Sequence, residues 1–483
     1  MKKDNDQSGK KELIRQLKEA RSEAKQAKAE LKKANAKIED LELNVKLLEY
    51  LKDPENSEKK QIESPMAENS GHIPRHKYSA EDIVTCLLLY VYCGCSYRSI
   101  PKALQVMHLR AGFEVGDLPD VTTVIGWVEK AGLAELQNKG KSLPESYAVV
   151  MDESISVGGF KLLLALGIPS ENEGHATKHS ETEVLGMEIG ESFDSKDVGK
   201  MLQDVAEKVG RPPKYVISDG GTNLVNGISD SGIPRHRDVG HYFANCLKKV
   251  YGEDPDFKDL SERVGKTKHW SLDKDLAPLK APNQRAIQRF MNIFPWMDWA
   301  DKIIDAYYRM TPKEKLFLGF VQKHASLVEE LSEVCRMIKD VMKVLKTHGL
   351  SLETARQCIA IIASMQACCS GRRFSAISDM LTRYISSELK LVEAEDKPHN
   401  ITSDIIESCF GIYKARRSPD KMAGITTIIL TMPLCSYMRD EEKWVSIDIK
   451  GKFTTTTITD VCEWRKINLP DSPNKLRKQK LYT

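Results

Sequence analysis

The chain is 483 residues long, room for roughly two to four domains. Its 72 Lys and Arg nearly balance 69 Asp and Glu, a net charge of +3, so no global basic field advertises a nucleic-acid partner and any such surface must come from local clusters. Eleven scattered cysteines without a CxxC pair, a Lys-rich start without an apolar h-region, and a longest apolar stretch (83–95) too short and polar to cross a bilayer argue against a disulfide-stapled secreted domain or a membrane protein. A cytoplasmic protein with reduced core thiols is the expectation.

In chain order, Leu13, Leu17, Ala20, Ala24, Ala27, Leu31, Ala34, Ile38, Leu41, Val45 and Leu48 recur at alternating steps of four and three. This heptad seam predicts a parallel, dimeric coiled coil over 8–52. A polar, Pro-containing linker fills 53–77. Residues 78–142 predict a small helical domain. Its first helix is capped by Ser79 and broken at Gly94, the second has Ser96 as its cap, and the third begins after Asp120 in LPDVTTVIGWVEKAG.

From Tyr147 three strands follow in quick succession: YAVVM, FKLLLALGI and, after a loop rich in Glu and His, EVLGMEIGES. Val198, Met201, Leu202, Val205 and Val209 then mark an amphipathic helix. The strand KYVIS ends at Asp219, Gly220 and Gly221 permit a tight turn, and a short strand around RDVGHYF leads into another helix. The stretch 256–400 carries long helical patterns and few strand signals. Glu407 then sits in a helical segment, SDIIESCFGIYK.

Singly, an Asp after a strand is an ordinary turn or cap residue, and a Glu on a helix is ordinarily solvated. The combination carries more. Asp152 ends one apolar run, Asp219 ends another, and Glu407 follows on a helix. Such oxygen donors suit magnesium or manganese, and a two-metal site holds its ions ~3.5–4 Å apart. The rivals to Glu407 are Glu153, which strand alternation sends to the opposite face, and Asp404, which has a shorter reach.

The order β-β-β-α-β-α-β, with acids at the ends of the first and fourth strands and a Glu on a later helix, resembles the RNase H-like fold of DDE transposases, over about 145–255 and 400–440. The expected fold is therefore an α/β RNase H-like core, a mixed sheet with helices, interrupted by a helical insertion over 256–400. A helix-turn-helix-like domain and the coiled coil precede it. Residues 401–440 return the core helix with its Glu, and 441–483 form a C-terminal extension whose basic tail, KLRKQK, is a candidate DNA-binding cluster but reads rather as a disordered end. Some bacterial insertion-sequence transposases and the hAT superfamily carry an insertion at the same point.

The resemblance implies that Asp152, Asp219 and Glu407 hold two Mg2+ or Mn2+ ions, Asp152 bridging both. Transposases of the insertion-sequence-4 type place a Lys that contacts the DNA end seven residues after the Glu. Lys414 stands there, whereas their upstream Arg, four before the Glu, is Ser403 here. Lys414, Arg416 and Arg417 are thus expected DNA contacts. Asp238-Val-Gly-His241 resembles the C/DxxH motif of several DDE families, and also suits a helix cap. The 78–142 segment looks like the helix-turn-helix that often precedes the catalytic domain, which would send Thr122 and Thr123 into the major groove. Trp296 matches the aromatic that stacks on a flipped base in some relatives, although core packing suits its spacing better. The implied activity is cleavage at a mobile element's terminal inverted repeats and joining of the 3′ hydroxyl to target DNA, by a homodimer. A non-catalytic DNA-binding protein on a transposase-derived scaffold and a nuclease that never joins strands stay open as alternatives.

Overall fold

The structure is a computed structural model. It describes residues 73–482 except 113–116, 139, 141, 158, 283–289, 370, 418, 419, 421, 423, 439, 441, 442, 445 and 446. The heptad seam and most of the linker lie outside the described residues.

The chain enters through three helices. Helix α1 (Ala80–Val91) is capped by Ser79, whose hydroxyl accepts from the Asp82 amide at 3.1 Å. Helix α2 (Ile100–Arg110) starts at Ile100 rather than Ser96, because Ser96 instead closes a turn onto Ser99 and Pro101 opens the helix. Helix α3 (Val121–Leu136) is capped by Asp120 as its sequence predicts, the Thr123 amide lying 2.8 Å from Asp120 Oδ1.

The sheet follows. Strands β1 (Tyr147–Val157), β2 (Phe160–Pro169) and β3 (Glu183–Gly190) form an antiparallel meander. Helix α4 (Ser195–Val209), capped by Asp194, buries Val198, Met201, Leu202 and Val205 of the stripe its spacing predicts, with Val209 only partly buried against the same core. Strand β4 (Val216–Ser218), helix α5 (Thr222–Asp230), strand β5 (Arg235–Arg237) and helix α6 (Val239–Tyr251) complete the unit. The strand order is β3-β2-β1-β4-β5, with β4 and β5 parallel to β1. Two expectations need correction. The last strand stops at Arg237, because Asp238 caps α6 and makes VGHYF helical. Asp152 does not end β1, which continues to Val157 in a hairpin with β2.

Both faces of the sheet are covered, which is why β2 reads as a continuous apolar run. Val149, Met151, Leu163, Ala165 and Val216 face α4 and α5. Ala148, Val150, Leu164, Leu166 and Ile217 face the opposite core.

The inserted stretch is helical as expected: α7 (Pro255–Lys266), α8 (Ile293–Ala306), α9 (Pro312–Lys323), α10 (Ala325–His348), α11 (Leu352–Cys368) and α12 (Arg372–Leu389). They share one apolar core with α6. The chain then returns through 398–403 into α13 (Asp404–Arg416), whose Ile405, Ile406, Cys409, Phe410 and Tyr413 close the second face of the sheet.

The C-terminal part is no loose extension. After 3-10 turns at Thr427–Thr431 and Pro433–Tyr437 come α14 (Ile449–Thr455), α15 (Ile458–Asn468) and α16 (Pro473–Tyr482). Trp444, Ile447, Ile449 and Phe453 are buried in the same core as α1 and α3. Helix α3 approaches residue 430 so closely that a Cβ on Gly132 would lie 1.8 Å from the Leu430 carbonyl oxygen. The expected helical domain is therefore built from both ends of the described chain. The KLRKQK tail is helical, within α16.

Candidate active site

The site starts from strand register. Parallel pairing sets Val149 opposite Val216 and Val150 opposite Ile217, and β4 ends at Ser218. Continued by two residues, that register sets Asp152 level with Asp219, just past the end of β4. Val150 and Ile217 face the core that α13 covers, so alternation turns Asp152, and Asp219 after it, to that same side. Helix α13 lies over this face, and Glu407 is half-buried on it. Three acids separated by 67 and 188 residues thus meet where β4 gives out.

Electrostatics register the meeting. Asp152 is 9% exposed. Burial first, then the charges of Asp219 and Glu407, push its carboxyl up to about 7, while the charge of His241 pulls the other way. Neighbouring acids are neutralised. Glu153, on the opposite face as alternation predicts, pairs with Lys161. Asp404 pairs with Lys346 of α10 at 2.5 Å. Among the described residues, Asp152, Asp219 and Glu407 form no such ion pair with Lys or Arg. Asp219 also does the ordinary turn work of its type, its Oδ1 accepting the Gly221 amide at 2.8 Å.

Asp238 and His241 supply the frame. Asp238 is 2% exposed. It accepts the His241 amide at 2.7 Å, His241 Nδ1 at 2.9 Å and the Ser403 amide at 2.6 Å. Burial alone would raise its pKa, but the bond and charge from His241 and the backbone donors outweigh it and hold the carboxyl below its usual range. The bond to Asp238 raises His241 to about 9 against the effect of burial, with Asp238, Asp219 and Asp152 adding charge. Asp238 is thus both the cap of α6 and the tie from α6 to the start of α13. The Val239 amide adds a second tie, to the Ile401 carbonyl at 3.2 Å.

Further ties, illegible in the sequence, bring Glu407 home. Asn400 Nδ2 donates to the Pro169 carbonyl at 2.9 Å, and Asn172 Nδ2 donates to Asn400 Oδ1 at 2.9 Å. Arg235 Nη1 donates to the Asp219 carbonyl at 2.8 Å and to Ser218 Oγ at 3.2 Å, fixing the end of β4. These partners are far apart along the chain, so no periodicity announces them.

No protein-family model matches this chain, and no curated protein matches it.

The three carboxylates are hard oxygen donors of the kind that suits a divalent cation, and the excess negative charge around buried Asp152 fits one. Among the described residues, no three His, Cys, Asp or Glu side chains are already drawn into a metal-holding cluster; the acids are close enough to repel without being closed into a cage.

The other expected contacts divide. Lys414 is exposed, 5.8 Å from the Phe410 ring on the same helix. Arg416 is engaged elsewhere: its Nη2 donates to the Tyr90 and Val91 carbonyls at 3.1 Å, and its guanidinium lies 4.5 Å from the Tyr90 ring, tying α13 to the end of α1. Arg417 follows the last turn of α13, half-buried. Thr122, exposed, and Thr123, half-buried, are at the start of α3, whose Val124, Trp127, Val128 and Ala131 are packed into a core, so that side of the helix is turned inward. Trp296 is 1% exposed in the insertion core beside Phe257. It cannot reach a base from there, and core packing is its role. Among the described residues no helix is long and apolar enough to cross a membrane.

Proposed function

We propose that this chain is a DDE transposase of a bacterial insertion-sequence type, built on an RNase H-like core, which cuts the terminal inverted repeats of a mobile element and joins the freed 3′ hydroxyl to target DNA. The observation that carries this reading is the meeting of Asp152, Asp219 and Glu407 on one face at the end of β4, without a paired cation. The element order through α6 and the helical insertion between Asp219 and Glu407 support it.

Asp152, Asp219 and Glu407 would be the residues that hold divalent cations, Mg2+ or Mn2+. Bound there, they supply Lewis acidity toward a phosphodiester and lower the pKa of water. The protein's own residues do the rest. Asp152 is held recessed on an interior strand. Asp238 fixes the start of α13 and so the height of Glu407 over the sheet. Protonated His241 sits beside the cluster and limits its charge before cations arrive. Lys414, two turns beyond Glu407, offers a charge to a DNA phosphate.

Two ends must be held together, so the working unit is a homodimer, with the heptad seam of 8–52 as its contact. Deleting 11–51 is expected to lower the oligomeric state in sedimentation. The DNA flanking the gene, searched for inverted repeats, supplies labelled substrate. Incubation with magnesium and a target plasmid should yield nicked ends and joined products, both lost in Asp152→Asn. Binding of the repeats without cleavage would sink the catalytic reading. Cleavage without joining would leave a nuclease.

A further inference from the structure

A second buried charge without an ion pair lies on α3, and it is positive. Lys130, on α3, is 6% exposed. Its Nζ lies 3.0 Å from His76 Nε2, 3.5 Å from the Phe453 carbonyl oxygen and 4.2 Å from the Phe453 ring centroid. None of these three contacts brings a carboxylate, and among the described residues no carboxylate forms an ion pair with it. Burying an ammonium without an anion is costly, so the position calls for a counter-charge that these partners lack.

Lys130 lines an open cavity of about 850 Å³ between the start of α3 and the α14–α15 pair, within the size range of small-molecule sites. Trp127, Phe453 and Ile458 give it apolar walls; Thr123 and Thr459 add hydroxyls. Arg75 adds a second cation from an exposed position. It is the one non-glycine among the described residues with a left-handed backbone, φ 67°, a conformation that costs energy and needs support from its surroundings. The nearby acids are already engaged. Asp120 accepts from the Thr123 amide and the Thr122 hydroxyl, and Asp460 from the Thr457 amide and hydroxyl.

We propose that this cavity binds a phosphate monoester with a small organic body, its dianionic head held by Lys130 and Arg75 and its body against Trp127 and Ile458. Two cations match a dianion better than the single charge of a diester. A recessed ammonium suits the tip of a small molecule better than the convex backbone of duplex DNA. Burial also holds the Lys130 ammonium down at about 8, partly offset by the Asp460 charge, and a bound anion would reverse that shift.

The test is calorimetric titration of the full chain with thymidine 5′-monophosphate, thymidine and inorganic phosphate. Thymidine monophosphate should bind one per chain, at least tenfold tighter than thymidine, and inorganic phosphate should displace it. Lys130→Met keeps the length and the packing and should weaken binding at least tenfold, the scale of one charge-assisted hydrogen bond. Should that variant fail to fold, Thr459→Trp narrows the cavity while keeping the lysine, and must lose binding too. Equal binding of nucleotide and nucleoside, no binding of nucleotide or phosphate, or unchanged binding in a folded variant would overturn the proposal. So would displacement of the nucleotide by a short duplex whose own affinity falls with Lys130→Met, since the site would then hold a DNA phosphate.

Discussion

Two clusters of buried or half-buried ionisable groups lie on neighbouring parts of the same sheet, and they are wired in opposite ways. At β5, Glu388 from α12 is 2% exposed yet fully partnered: His236 Nδ1 lies 2.9 Å away, Arg237 Nε 2.5 Å and the Arg237 amide 3.2 Å. Burial would push its carboxyl up, but the bonds and charges from His236 and Arg237 outweigh it and pull it below the usual range. At the end of β4, Asp152 is also buried; burial and then the like charges of Asp219 and Glu407, only partly offset by His241, push it up to about 7. A compensated buried carboxylate joins the insertion to the sheet. An uncompensated one weakens the fold and is kept only where something else uses the charge.

That contrast can be broken most sharply by activity. Asp152→Asn, Asp219→Asn and Glu407→Gln should each reduce magnesium-dependent cleavage of repeat DNA by roughly three orders of magnitude or more, with circular dichroism unchanged. Glu388→Gln should leave the metal dependence of any residual cleavage intact. If Glu407→Gln cleaves normally while Asp404→Asn is dead, the assignment of the helix acid is wrong.

Stability should show the mirror image. Glu388→Ala strands His236 and Arg237 and should cost about 3–5 kcal/mol, the scale for breaking a buried pair, read by denaturant titration. A loss under 1 kcal/mol would show the cluster at β5 to be dispensable.

Asp152→Asn should instead raise the melting temperature of metal-free protein at neutral pH by a few degrees. The sign follows from linkage. The folded carboxyl titrates at about 7 against an ordinary 3.8, so the stability that its proton contributes is full below about 4 and lost as pH rises through about 7. His241, raised from 6.5 to about 9, contributes stability that is full below 6.5 and lost as pH rises through about 9. The variant should therefore lose the acidic slope and keep the alkaline one, and magnesium should stabilise the parent more than the variant. An unchanged melting curve from pH 4 to 7 would mean that Asp152 is already neutralised.

The smallest effect separates the basic residues of α13. Lys414→Ala and Arg417→Ala should each lower the slope of log affinity for DNA against log salt by about 0.9, without changing the melting temperature. Arg416→Ala should lower the melting temperature, because its guanidinium serves the α1 carbonyls. A salt slope that falls only with Arg416 would reverse these roles.

Much of this arrangement was written locally. Alternation along YAVVM and KYVIS, the α4 stripe and the caps at Ser79 and Asp120 are short-range physics, and each appears where the sequence predicts it. The opposite placement of Asp152 and Glu153 follows from the strand period alone. What failed was also instructive. Asp152 is interior to β1 because hairpin pairing with β2 carries the strand past the point where its apolar run stops. Strand β5 is cut short because Asp238 caps α6, its side chain accepting the His241 amide. Trp444, Ile447, Ile449 and Phe453 complete the core around α1 and α3, although their separation along the chain gave no sign of it.

The sequence by itself determined which acids sit where on their own elements, because a strand or helix period is set within a few residues. Only the tertiary structure decided that Glu407 meets Asp152 and Asp219 across 188 residues, that Arg416 serves the fold rather than standing free, and that Lys130 lies buried without an ion pair among the described residues. Those outcomes depend on bonds between distant segments, such as Asp238 to Ser403 and Asn172 to Asn400, and on which neighbours exclude water from a charge. Neither is encoded in any local pattern of residues.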